Sequence, residues 1–172
     1  TRATIAKEKG LEELAKTSLE QNEKINIYEE ALLYVNKEKG VENAEDAING
    51  AKDIISEEIS DNAKYRKIIK RNCYYEGTIK IKAANKEEKS SYEMYYDFSE
   101  KINKIPSHRI LAINRGEKEE FLKVKIEKNT EKILNIIKSD LIKNNKNKYA
   151  EIIEQCVEDS FSRLIEPSID RE

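Results

Sequence analysis

Two short stretches of alternating apolar and polar residues set the strongest constraint on this chain. Ile79, Ile81 and Ala83 alternate with Lys80 and Lys82, and Leu122, Val124 and Ile126 alternate with Lys123, Lys125 and Glu127. Elsewhere the apolar residues recur every three or four positions. Period two belongs to a half-buried strand and period 3.6 to a helix with one buried face. The fold class that follows is mainly α, a multihelical assembly with one small two-stranded antiparallel β element. A lone strand pair is marginally stable in water, so helices are expected to cover it.

The helical pattern can be followed along the chain. Thr4 is read as the cap of a short helix that stops at Gly10, and Leu11, Leu14, Ala15 and Leu19 mark the next. Tyr28, Ala31, Leu32 and Val35 mark a third. Asn43 can cap a longer helix whose Ala47, Ile48, Ala51, Ile54, Ile55 and Ile59 form one stripe. Gly50 lies inside that helix, where it costs about 1 kcal/mol relative to Ala, so either a close crossing or a kink is expected there. Asp61 is the expected cap of a basic helix carrying Tyr65, Ile68, Ile69 and Cys73 inward. Thr130 opens a helix with Ile133, Ile136, Ile137 and Leu141 on its face, ended by Asn144, Asn145 and Asn147. The last long helix holds Tyr149, Ile153, Cys156, Val157 and Phe161 before Pro167. The aromatic stretch from Glu88 to Phe98 reads as packing between layers, because Tyr buries its ring while keeping its hydroxyl at a polar boundary.

Composition narrows the chemistry. At 172 residues the chain is one domain or two small helical ones. A mean hydropathy of -0.82 with 38% charged residues would suit a disordered chain, but 24 Ile and 10 Leu at helical spacing argue for folding. Cys73 and Cys156 lack metal-ligand spacing and read as reduced core thiols. His108 is the only histidine, and no glycine-rich phosphate loop is present. Adjacent acids such as Glu57 and Glu58 are ordinary in a chain with 34 of them. The chain is therefore expected to be no enzyme and to hold no metal or cofactor. No apolar run is long enough for a bilayer, and the N-terminal residues interleave Lys and Glu, so no membrane partner is expected and the chain reads as cytoplasmic. Its start without Met and its finish within a helical pattern read as a fragment of a longer protein.

Charge divides the sequence into an acidic N-terminal helical segment (1–63, net -7), a basic central segment (64–148) and a C-terminal helix (149–172, net -5). The central segment holds the strand pair. Lys67, Lys70, Arg71, Lys80, Lys82, Arg109, Arg115 and Lys118 are its candidate nucleic-acid contacts, since a local basic field attracts phosphate even on a neutral chain. Solvated surface, or pairing with the acidic flanks, is the favoured account of the same residues.

The densest polar signal runs from Lys101 to Lys118. Pro106 breaks the helical pattern, Ser107 is the expected cap of a short helix through Arg115, and Gly116 is expected to close it. Arg109 and Arg115 suit bidentate binding of a carboxylate or phosphate, with the helix N-terminus adding favourable dipole. The alternative is an internal clamp in which both arginines meet acids from the first or last segment of the chain. Either way Pro106, Ser107, His108, Arg109, Asn114, Arg115 and Gly116 form a candidate structural joint.

Four stretches carry a family likeness: RATIAKEKGLEELA from Arg2, NGAKDIISEEIS from Asn49, KIPSHRILAINRGEKEEFLKVKI from Lys104 and RLIEPSID from Arg163. Together they resemble the N-terminal helical region of the bacterial Tex family of transcription accessory proteins, relatives of a eukaryotic transcription elongation factor. The likeness implies a helical scaffold that precedes a nuclease-like YqgF-type domain, helix-hairpin-helix elements and an S1 domain. RNA or DNA would then be bound by the full-length protein, mainly through those downstream modules, with a transcription-machinery protein as a further partner. Direct phosphate binding by this chain, and service as a protein-interaction module, are the alternative functions. The central phrase from Pro106 to Lys118 matches the family, whereas Lys101 stands where Pro is frequent and Glu120 where Gly is usual. A Gly there permits a tighter turn before Phe121.

Overall fold

A computed structural model describes residues 1–84, 90–143 and 147–169. Asn144, Asn145 and the Glu88 end of the aromatic stretch lie outside the described residues. The helices are α1 (Arg2–Glu8), α2 (Glu12–Glu20), α3 (Ile27–Leu32), α4 (Ala44–Asp61), α5 (Ala63–Glu76), α6 (Ser107–Lys118), α7 (Thr130–Leu141), α8 (Lys148–Asp159) and α9 (Glu166–Ile169). The strands are β1 (Thr78–Ala83), β2 (Asp97–Lys101) and β3 (Leu122–Glu127). The chain forms two compact units, one of residues up to Arg66 with those from Leu134 onward, the other Lys67–Ile133.

In the first unit α4 is the central helix, packed by α1, α2, α3 and α8. Its whole expected stripe, from Ala47 to Ile59, is buried. Asn43 caps it, its side-chain oxygen accepting from the Asp46 N–H at 2.8 Å. At Gly50 the choice falls on a close crossing: a Cβ would lie 2.2 Å from Leu11 Cδ1, and Leu11 is fully buried. Buried serines bring α4 and α8 together as well. The Ser160 hydroxyl donates to the Ser56 carbonyl at 2.6 Å, and the Ser56 hydroxyl donates to the Cys156 carbonyl at 3.3 Å. From Ser160 to Ile165 the helix widens into a π turn, and Pro167 is then accommodated in the first turn of α9.

Several local expectations are corrected. Thr1, not Thr4, caps α1, its hydroxyl accepting from the Thr4 N–H at 3.1 Å. Asn62, not Asp61, caps α5 by accepting from the Lys64 and Tyr65 N–H groups. On α3 the buried residues are Ile27 and Ala31, while Tyr28 and Leu32 are exposed.

The second unit holds the sheet, and here the expected two strands become three, in the order β2-β1-β3, all antiparallel. The expected pairing of β1 with β3 is present, with Ile79 opposite Ile126, Ile81 opposite Val124 and Ala83 opposite Leu122. β2 escaped notice because its sequence, Asp-Phe-Ser-Glu-Lys, carries a single apolar residue and so no visible alternation. The third strand removes the marginality of a lone pair by giving β1 hydrogen-bonded neighbours on both sides. One face of the sheet packs into a core of Ile81, Tyr92, Tyr95, Ile105, Ile113 and Leu122, with Phe98 and Val124 against it. Tyr95 and Phe98 meet edge to face, ring centres 5.3 Å apart.

Candidate functional site

The joint is built from α6 and its approach. Ile105 is buried and Pro106, extended at φ -66° and ψ 147°, occupies the N-cap position of α6. Ser107 is the first helical residue and makes no capping bond, contrary to its expected role. Proline fits a helix entry because its missing N–H would lack an intrahelical partner in any case. Gly116 does not close the helix either. α6 continues through it to Lys118, and the left-handed position is Glu120, at φ 66°. Gly116 serves proximity instead, since a Cβ would lie 2.5 Å from Leu122 Cδ1 and 3.0 Å from the Tyr92 ring.

Arg109 and Arg115 part company. The Arg109 guanidinium donates to Glu100 Oε2 on β2 at 3.0 Å and lies 5.7 Å from the centre of the Phe98 ring. It is therefore an internal clamp between helix and strand, joining a partly screened ion pair to a cation–π contact, but its acid comes from the central segment itself and not from the first or last segment as expected. Arg115 and Lys118 are exposed on the last turns of α6, as are His108 and Asn114 further back. Lys67, Lys70 and Arg71 lie on the exposed side of α5, where Arg71 stacks on Tyr75 at 5.9 Å. Lys80 and Lys82 stand on the sheet, exposed on the face away from the core. The candidate basic residues thus occupy three different elements.

The sheet face adds residues that sequence reasoning missed. Register places Lys125 directly opposite Lys80, Lys123 opposite Lys82, and Lys101 opposite Thr78, all with side chains on the open face. The signal was available for Lys123 and Lys125, because pairing β1 with β3 in register puts them beside Lys80 and Lys82. Lys101 depends on β2 and could not be found this way.

The first unit carries a cleft of about 500 Å³ lined by residues of α1, α4 and α8, among them Arg2, Asn49, Asp53, Cys156 and Asp159. Arg163 grips Asp159 with Nε at 3.1 Å and Nη2 at 2.8 Å, and this hydrogen bonding holds the Asp159 carboxyl below its usual range. Burial pushes Asp53 the other way, against the opposing pull of Arg2 and Arg163. Cys156 is buried, its thiol pushed up to about 12 by desolvation, so at neutral pH it is a protonated, unreactive group. Among the described residues no cluster of three or more His, Cys, Asp or Glu could hold a metal ion, and no helix is long and apolar enough to cross a membrane. Exposed large apolar residues occur on α3, α5 and α6, including Leu32, Tyr75 and Leu111.

A mainly α chain with this joint and small sheet matches one class of protein: a family model described as Tex central region-like covers residues 22–172, and the chain belongs to that family. It is 45% identical over its whole length to the uncharacterized protein YdcI of Bacillus subtilis, of which it spans 24%. Similarity to the transcriptional accessory protein Tex of Neisseria gonorrhoeae is 29% identity over 72% of this chain and 16% of that protein. The human S1 RNA-binding domain-containing protein 1 is 27% identical over the full chain, which spans 18% of it. The chain thus covers less than a quarter of the length of these relatives.

Proposed function

We propose that this chain is a non-catalytic helical scaffold region of a cytoplasmic, nucleic-acid-binding transcription accessory protein, holding in place the parts of the full-length protein that contact RNA or DNA. The names of two relatives, a transcriptional accessory protein and an S1 RNA-binding domain-containing protein, support the setting. The observation that carries the scaffold reading is the internal closure of the joint. Arg109 is bound to Glu100 and Phe98, Ile105 and Ile113 are buried, and Gly116 is pressed against Leu122. A segment built to receive a ligand leaves its arginine unpartnered; here Nη1 of Arg109 is engaged by the chain's own carboxylate.

The experiment compares Arg109→Ala with the parent chain in stability and in affinity for labelled nucleic acid. Breaking a half-exposed ion pair and a cation–π contact is expected to cost about 1 kcal/mol of stability. Affinity is expected to stay unchanged. A loss of affinity without a loss of stability would refute the scaffold role of the joint.

A further inference from the structure

The open face of the sheet is a lysine field. Across β2, β1 and β3 its first row reads Lys101, Thr78, Glu127, its second Ser99, Lys80, Lys125, and its third Asp97, Lys82, Lys123. The two acids sit at opposite corners, so the five ammonium groups form a diagonal band with a local excess of three positive charges. Every one of these lysines is exposed. Of these five, Lys80 alone has an ion-pair partner among the described residues, Glu127 at 3.1 Å, and that pair is exposed and so only weakly offsets its charge.

This arrangement works against the free protein. Lys80 faces Lys125 and Lys82 faces Lys123 directly across the ladder, and directly opposed like charges destabilise a sheet. A polyanion lying on the face would reverse the sign of that term. The chemistry of the face also selects among polyanions. It carries no apolar, aromatic or arginine side chain, and lysine, aspartate, glutamate and serine are depleted in protein interfaces, so an acidic protein has nothing here to bury. Binding by charge alone is the mode of the phosphate backbone, where affinity comes from releasing condensed counterions. Without aromatic platforms the face cannot stack unpaired bases, which single-strand binding relies on. It also lacks arginine, asparagine and glutamine, whose planar groups give the most specific bidentate readings of guanine and adenine edges. A duplex presents twice the charge density of one strand and needs neither.

We infer that the open face of β2-β1-β3 docks the phosphate backbone of duplex DNA without reading its sequence, through Lys80, Lys82, Lys101, Lys123 and Lys125. This activity of the chain itself is independent of the scaffold role proposed above and does not use Arg109.

Fluorescence anisotropy with the 172-residue chain tests it. The probes are two labelled 20-base-pair DNA duplexes of unrelated sequence, a duplex RNA and a single-stranded RNA of equal length, with polyglutamate as competitor. The two DNA duplexes are expected to bind equally, and more tightly than the single-stranded RNA. With about four phosphates neutralised, affinity should fall by about 100-fold between 50 and 200 mM salt. Lys123→Gln/Lys125→Gln is expected to reduce the log-log salt slope by about 1.8. Its melting temperature should equal or exceed that of the parent, because it removes both opposed lysine pairs. That readout separates lost contact from lost folding. Lys24→Gln/Lys37→Gln, an equal charge change on exposed residues of the first unit, should leave the slope unchanged. The inference is overturned by any of four results: no duplex DNA binding at 50 mM salt, an unchanged slope in the Lys123/Lys125 variant, tighter binding to either RNA, or displacement by polyglutamate at equal charge concentration.

Discussion

Gly116→Ala sets two effects of known size against each other. In an exposed helix interior the change is favourable, by about 1 kcal/mol, because Ala restricts the unfolded chain and Gly does not. At position 116 the new methyl would sit 2.5 Å from Leu122 Cδ1, 2.9 Å from Leu122 Cγ and 3.0 Å from Tyr92 Cδ1. Rotation of the terminal methyl alone cannot relieve this, since Cγ and the ring are also too close. Leu122 and Tyr92 are both buried, so neither can swing into solvent. Either α6 lifts from β3 or both side chains leave their rotamers, and such overpacking costs about 1–3 kcal/mol. Allowing for the propensity gain of about 1 kcal/mol, the expected net loss is about 0–2 kcal/mol, or up to about 8 °C in melting temperature.

Urea unfolding followed by circular dichroism measures the loss, and amide hydrogen exchange in β1 and β3 assigns it to the second unit. Leu122→Ala supplies the control. Alone it should cost about 2–5 kcal/mol by opening a cavity. Combined with Gly116→Ala it should cost at least about 1 kcal/mol less than the sum of the single changes, because the added methyl enters the space the leucine vacates. Stabilisation by the full gain of about 1 kcal/mol that an open helix position would show, or strict additivity of the pair, would refute the close-approach reasoning.

Three further outcomes are expected. Tyr65→Phe removes a hydroxyl that donates to Asp140, and with Asp140 part-exposed the loss should be about 1 kcal/mol near neutral pH. The Tyr65 hydrogen bond, with Lys64 behind it, holds Asp140 below its ordinary carboxylate value, so the contribution is present above an unfolded pKa of about 3.9 and fades as pH falls through the lower folded value. Stability curves of the two proteins should therefore converge below about pH 4, and a constant gap down to acid would contradict the assignment. Glu120→Gly places at φ 66° the residue that tolerates it; relief of about 1–2 kcal/mol of left-handed strain, less about 0.5–1 kcal/mol of chain entropy, predicts a small stabilisation in the same urea assay, and a clear loss would refute it. Cys156, with its thiol raised to about 12 by burial, should resist iodoacetamide at pH 8 until urea unfolds the first unit, as mass spectrometry of partly modified protein would show; prompt labelling of the native chain would be the contrary result.

What could be read from the sequence follows how strongly periodicity was expressed. The α4 stripe and the β1–β3 pairing were legible because several apolar residues repeat each period without interruption. β2 was not, because a strand at the sheet's edge with one apolar residue writes no pattern, and its existence is fixed by backbone bonding to β1. Caps were misjudged by one to three positions wherever neighbouring polar residues compete, as with Asp61 beside Asn62. At the candidate site the identity of the joint was visible but the partner of Arg109 was not, since Glu100 lies on the unseen strand. Lys101 was hidden for the same reason.

The stretches that carry the family likeness also fall where size, more than chemistry, is limiting. Gly50 belongs to the second stretch and the Leu11 methyl it admits belongs to the first. Gly116 and Leu122 both belong to the third. Arg2, Asn49 and Asp53 line adjoining clefts of the first unit, and Arg163 of the fourth stretch lines one beside Asp53. The likeness is thus carried by two kinds of position: Gly50 and Gly116, which admit leucine side chains at close crossings, and Arg2, Asn49, Asp53 and Arg163, which line clefts of the first unit. On the scaffold reading proposed above, the glycine crossings fix where each helix can lie, and the open sheet face joins two kinds of stretch: Lys123 and Lys125 lie within the likeness, Lys80, Lys82 and Lys101 outside it.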